Sequence, residues 1–217
     1  MSRPVVLIVG AGPGVSGSLA RLYAADGHDI GLLGVDADVL ASLGEELAAL
    51  GAAVRSAVAD VTDVAAAREA IDGIAASFGH IDVLHFNPSA FREKDPLELE
   101  VSELLDDVAL GVGALLTSVQ TARPYMTAGG RITVTGSMAA DKPWNRAASL
   151  GVQKAGIRNL VRSIDTTLQP DGIRAVSVTV RGTLSSEGAF TPDRVAAALL
   201  AAARQDESHW ESELPYE

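Results

Sequence analysis

Short runs of β-branched and aliphatic residues recur along the chain, each separated from the next by a longer alanine- and leucine-rich stretch of helical periodicity. That alternation constrains the fold more than any single motif, because strand, helix, strand repeated is the sequence sign of βαβ units and a parallel sheet. Strands are expected over Pro4–Val9, Asp29–Leu33, Ala53–Ala59, Ile81–Phe86, Gly130–Thr135 and Ile173–Val180. Helices are expected over Val15–Asp26, Ala37–Leu50, Val64–Phe78, Val101–Met126, Ala147–Leu168 and Pro192–Gln205. Runs such as VVLIV and RAVSVTV are apolar throughout, as strands covered on both faces must be. Glycines 27, 51 and 79 each follow a helical segment where a left-handed residue is wanted. The expectation is α/β: a doubly wound parallel sheet flanked by helices in three αβα layers. The closing HWESELPYE offers one further edge strand.

A chain of 217 residues is long enough for one good core, so one domain over residues 1–217 is expected. Hydrophobic residues at 47% and charged residues at 21% fit a globular protein. The net charge of −11, with no basic run to interrupt it, disfavours a nucleic acid partner. Its carboxylates, in stretches such as GEELAAL and LELEVSELLDD, read as solvated helix faces. The absence of cysteine removes disulfides, thiolate catalysis and Cys-ligated metal together. No His, Asp or Glu cluster has metal-ligand spacing. The apolar run in MSRPVVLIVGAGPG is too short for a signal-peptide core or a membrane span, so a cytoplasmic protein without membrane attachment is expected.

The segment VGAGPGVSG follows the first strand and opens the first helix. Gly10, Gly12 and Gly14 sit where a tight turn lets backbone amides approach a pyrophosphate, and the helix N-terminus adds partial positive charge. An acid or an arginine at the end of the second strand normally reads the ribose. In LLGVDAD the acid on offer is Asp36, one or two residues late, and no arginine stands there. NAD and NADP both stay open as cofactors.

On these residues the chain resembles the short-chain dehydrogenase/reductase family over nearly its whole length. The glycine loop is similar to TGxxxGxG, with Val9 in place of the threonine and Ser16 in place of the last glycine. DVTD at Asp60–Asp63 resembles the adenine-side segment, placing Asp60 and Val61 beside the base. IDVLHFNPSA is similar to the strand ending in NNAG, with Asn87 kept and Pro88–Ser89 replacing Ala–Gly. GRITVTGSMAA resembles the segment bearing the catalytic serine, which falls on Ser137. The LGVQK segment stands where YxxxK is expected, so Lys154 is the family's lysine and Leu150 occupies the place of its tyrosine. The family's active-site asparagine pairs with Ala109. VTVRGT replaces a Pro–Gly by Arg181–Gly182, leaving Thr183 to meet a nicotinamide carboxamide. Only LSSEGAFTP joins that strand to the next helix, which implies an open site.

The resemblance implies a Rossmann-like fold, NAD or NADP as cofactor, a small-molecule substrate and a homodimer or homotetramer. It makes Ser137 and Lys154 the catalytic candidates. The cofactor contacts it implies are Gly10, Gly12, Gly14, Val15, Asp36, Asp60, Val61, Asn87, Lys154, Gly182 and Thr183; no metal is implied. Family chemistry moves a proton through the tyrosine, whose pKa the lysine lowers, whereas leucine transfers no proton. Two readings follow: an oxidoreductase with Lys154 or water as proton source, or a catalytically inactive relative that binds a dinucleotide or partner. His85 reads as a packed core histidine, Ser149 as a poor substitute for the tyrosine and Tyr125 as packing. Trp144 and Arg146 are placed to shape the pocket or bind an acidic ligand.

Overall fold

A computed structural model of the chain describes residues 2–217. Seven strands form one parallel sheet in the order β3-β2-β1-β4-β5-β6-β7. The first half comprises β1 (Val5–Val9), α1 (Val15–Ala25), β2 (Asp29–Gly34), α2 (Ala37–Ala49), β3 (Val54–Val58), α3 (Val64–Phe78) and β4 (Val83–Phe86). The second comprises α4 (Val101–Val108), α5 (Ala114–Ala122), β5 (Arg131–Ser137), α6 (Ala148–Leu168), β6 (Arg174–Val180), α7 (Pro192–Ala203) and β7 (Glu213–Tyr216). The chain builds outward from β1 to β3, then returns to lay β4 on the other side of β1. That reversal opens a crevice at the carboxyl ends of β1 and β4, the usual ligand position in such sheets.

Both faces of the sheet are covered. Leu7, Leu84, Phe86 and Ile132 pack with Ile71 of α3, Leu115 of α5 and Ile157 of α6. On the opposite face Ile8, Ile30, Leu32 and Val176 meet Leu19 of α1, Leu47 of α2 and Leu199 of α7. Each such residue taken fully out of water contributes about 1.5–3 kcal/mol before entropy is counted. Glycines 27, 51 and 79 have φ of 89°, 86° and 83° after their helices, as their positions require. The tail forms β7, parallel to β6.

The expected single helix Val101–Met126 is broken. Between α4 and α5 lies a π turn, Ala109–Gly113, and a 3₁₀ turn at Arg123–Tyr125 closes the run. Two glycines in five residues weaken the α-helical register there, and a buried side chain from α6 occupies the space at Gly111, as described below. The run Val101–Tyr125 is long and apolar enough to cross a membrane by length and composition alone. In the fold it lies in a layer with α3 and α6, its inner face in the core.

α6 is fastened to the sheet by a buried ion pair. Arg174 donates from Nε and Nη2 to Asp165 at 2.9 and 2.8 Å, and the Ala175 amide donates to the same carboxylate at 2.8 Å. This fixes the helix that carries Leu150, Gln153 and Lys154.

Candidate active site

The glycine loop turns sharply off β1. Gly10 has φ of +79°, and a Cβ there would lie 2.7 Å from Pro88 Cδ, so both backbone conformation and close approach demand glycine. The loop then delivers α1 with an N-terminus that carries no side-chain cap and no acidic residue in its first turn. By contrast α2, α3 and α7 are capped by Asp36, Asp63 and Thr191. The first amides of a helix have no intrahelical partner, and at Gly14 nothing stands within 4 Å of where a side chain would begin. Uncapped amides facing open space suit a pyrophosphate. Val15, the first residue of α1, is buried beneath them. Ser16 closes the turn, its Oγ accepting from the Gly12 amide at 3.0 Å.

A polar chain joins this loop to the lysine across three strands. Asn87 Nδ2 reaches the Gly10 carbonyl at 3.5 Å, Thr135 Oγ1 donates to Asn87 Oδ1 at 2.8 Å, and Lys154 Nζ donates to the Thr135 carbonyl at 3.0 Å. Lys154 is 4% exposed and forms no ion pair among the described residues. Burial alone lowers its pKa from 10.5 to about 8. Ser137 ends β5 half-buried, its Oγ accepting from the Ala139 amide at 3.2 Å while its hydroxyl proton stays available. Leu150 is half-buried on the first turn of α6, one turn before Lys154.

Other expected positions fall as follows. Asp36 caps α2, accepting from the amides of Asp38 and Val39 at 3.0 and 3.1 Å. At the end of β2 a Cβ on Gly34 would sit 2.7 Å from the Ala11 carbonyl oxygen, which leaves that strand end without a ribose-reading side chain. Asp60 is exposed and accepts from the Thr62 amide and hydroxyl, which hold its carboxyl below the usual range; Val61 is buried beside it. Thr183 is exposed at the start of the loop after β6, and Gly182 is covered by the Phe190 ring of that same loop.

Ala109, which the resemblance pairs with the family asparagine, is exposed. Gly111 of the π turn faces α6 instead, and Gln153 fills the space its missing side chain leaves. Gln153 is fully buried, donates from Nε2 to the Asp107 carbonyl at 2.6 Å and accepts from Ser89 Oγ at 3.1 Å. Sequence reasoning missed Gln153 and Thr135; a glutamine beside Lys154 and two glycines opposite it were the available signal. His85 is buried, pairs through Nδ1 with Thr133 Oγ1 at 2.9 Å and is held by burial at a pKa of about 3, so it stays neutral and core-bound. Ser149 is fully buried on the side of α6 that carries Gln153, its hydroxyl without a protein partner. Tyr125 packs on the core and donates to Asp72 at 2.6 Å. Arg146 is not free for an acidic ligand: it is paired with Glu93 and lies over the Trp144 ring. Among the described residues, no group of three or more His, Cys, Asp or Glu is placed to hold a metal.

The arrangement sets the uncapped N-terminus of α1, the buried amine of Lys154 and the Ser137 hydroxyl toward the carboxyl edge of the sheet. The family profile described as short chain dehydrogenase matches residues 4–189. A probable galactose dehydrogenase of Rhizobium meliloti (strain 1021) is 30% identical over 177 residues, which cover 80% of this chain and 69% of that protein. A dehydrogenase/reductase structure from Sinorhizobium meliloti 1021 superposes with a TM-score of 0.91 over 99% of this chain and 94% of its own, at 20% identity, a likeness of fold. A short chain dehydrogenase from Burkholderia cenocepacia J2315, solved in complex with NADP, gives a TM-score of 0.89 at 25% identity, covering 100% of this chain and 96% of its own.

Proposed function

This chain belongs to the short chain dehydrogenase family, and we propose that it is an NAD(P)-dependent oxidoreductase of small carbonyl compounds whose proton no longer comes from a tyrosine. The observation that supports the reading is the polar chain from Gly10 through Asn87 and Thr135 to Lys154, which links the glycine loop to the lysine. The uncapped amides of α1 hold the pyrophosphate, Asp60 and Val61 flank the adenine, and Lys154 meets the nicotinamide ribose. When bound, the cofactor supplies the hydride, so that carbonyl, hydride and one proton give an alcohol and the oxidised nicotinamide. Ser137 donates its free hydroxyl proton in a hydrogen bond to the substrate oxygen. With Leu150 aliphatic, the transferred proton comes from Lys154, whose lowered pKa of about 8 eases its release, or from water.

A catalytically inactive protein that keeps only dinucleotide binding is the competing reading, and the loss of the phenol at Leu150 is the observation in its favour. Leu150→Tyr separates the two when NADH or NADPH oxidation is followed with a panel of ketones. A slow wild-type rate that rises by about 10²–10⁴-fold in the variant, the usual worth of a positioned acid, is the expected result. Cofactor binding without hydride transfer in either protein establishes the inactive reading instead. The protein also forms a homodimer or homotetramer in this proposal. Val101 and Leu105 of α4 and Val152 of α6 are 71%, 61% and 51% exposed, which is apolar surface for a second copy to cover. Sedimentation velocity giving a monomer at micromolar concentration contradicts that part.

A further inference from the structure

The loops at the carboxyl edge of the sheet carry several exposed apolar side chains in a chain that is otherwise acidic. Phe91 from the loop after β4, Met138 and Trp144 from the segment after β5, and Leu184 from the loop after β6 are all exposed. Leu150, on the first turn of α6, is half-buried. These residues come from separate segments, and the loops involved all leave the carboxyl edge of the sheet, where Ser137 ends its strand. Phe91 and Trp144 stack at 6.3 Å between ring centroids with 26° between planes, bridging two of the loops. The Ala148 amide, donating to the Lys94 carbonyl at 3.2 Å, ties the same two segments together. Pro143, next to Trp144, packs on α6 at Gly151, next to Leu150. The aromatic pair therefore belongs to the rim of the site.

Most of the charged side chains of this rim are already paired. Arg146 is paired with Glu93, Arg92 with Asp107 and Glu103, and Lys94 with Glu103. Ser89 donates to Gln153, and Asn87 is held between Gly10 and Thr135. Lys142 alone among the cations of these segments has no carboxylate partner among the described residues. A charged ligand entering here finds most of the charged groups already paired, whereas a ring meets the flat faces of Phe91 and Trp144. Apolar area left exposed beside a site marks what the site is built to cover.

We propose that the substrate is an uncharged ketone or alcohol bearing a flat apolar ring, with the ring against the Phe91–Trp144 pair and the oxygen at Ser137. This rests on the oxidoreductase reading for the position of the oxygen, and it sets the chain apart from its relative named for galactose.

The test uses Trp210→Phe, which leaves Trp144 as the single tryptophan reporter. Its fluorescence is titrated with 1-tetralone and with D-galactose, without cofactor and with NAD⁺ or NADP⁺ added. Saturable quenching by tetralone, absent with galactose and weakened about tenfold by adding Phe91→Ala, is the expected result. Phe91 is 63% exposed, so the melting temperature of the Ala variant serves as the folding control and should hold. Galactose binding as tightly as tetralone, tetralone affinity indifferent to Phe91→Ala, or no quenching by either compound overturns the proposal. Binding is read without turnover, so tetralone that binds in this way but is not reduced when NADH or NADPH is supplied in a separate assay counts against the oxidoreductase reading and leaves the ring site standing.

Discussion

At Lys154 stability and the proposed function pull apart. Its amine is buried with one backbone carbonyl for company, and burial holds its pKa at about 8 instead of 10.5. Between those values the unfolded chain carries a proton there that the native chain has released, so stability rises with pH across that window. Below pH 8 the full cost of the buried charge is present; the change corresponds to roughly 3 kcal/mol. Replacing the lysine removes that cost but also the bond to Thr135, worth about 1 kcal/mol. Lys154→Met is therefore expected to melt several degrees above the wild type at pH 7 in the absence of cofactor, with the gain narrowing toward pH 10. Thermal unfolding across that range checks it; a variant that melts lower at pH 7 would show that the ammonium has a stabilising partner. Lys154 was legible from the LGVQK spacing, whereas its freedom from any carboxylate was not, because ion pairing depends on what the fold brings near.

At the scale of elements the informative place is the meeting of α6 with the π turn. Uninterrupted apolar periodicity from Val101 to Met126 supports a single helix, and local pattern has no means of registering Gln153, which arrives from more than 40 residues away. Gly111 and Gln153 were each visible, but their complementarity is a tertiary fact. A Cβ on Gly111 collides with the Gln153 side chain, so Gly111→Ala should destabilise by about 1–3 kcal/mol, the usual cost of overpacking. Adding Gln153→Ala opens the space and should recover much of that loss. Denaturant unfolding of the two singles and the double variant measures the coupling; strictly additive effects would contradict the contact. The same limit applies at Ala109, the position paired with the family asparagine by resemblance, which lies exposed in the π turn.

For the whole molecule, the alternation of strands and helices was enough to read the parallel sheet, because each βαβ unit carries its own period and its own helix stop. The tail strand β7 was legible only as an option, since four residues acquire strand geometry by pairing with β6. The candidate site divides the same way. The glycine loop, Ser137 and Lys154 are local motifs and were readable, while the Asn87–Thr135 connection and the aromatic rim exist only once β1, β4 and β5 lie side by side. Those juxtapositions make one claim central, that the open amides of α1 and the amine of Lys154 grip the two ends of a single nicotinamide dinucleotide. Isothermal titration calorimetry with NADH and with NADPH tests it most directly. One saturable site per chain for at least one of them, weakened by Lys154→Met, is the predicted outcome, and no detectable binding of either to the wild type would contradict the account.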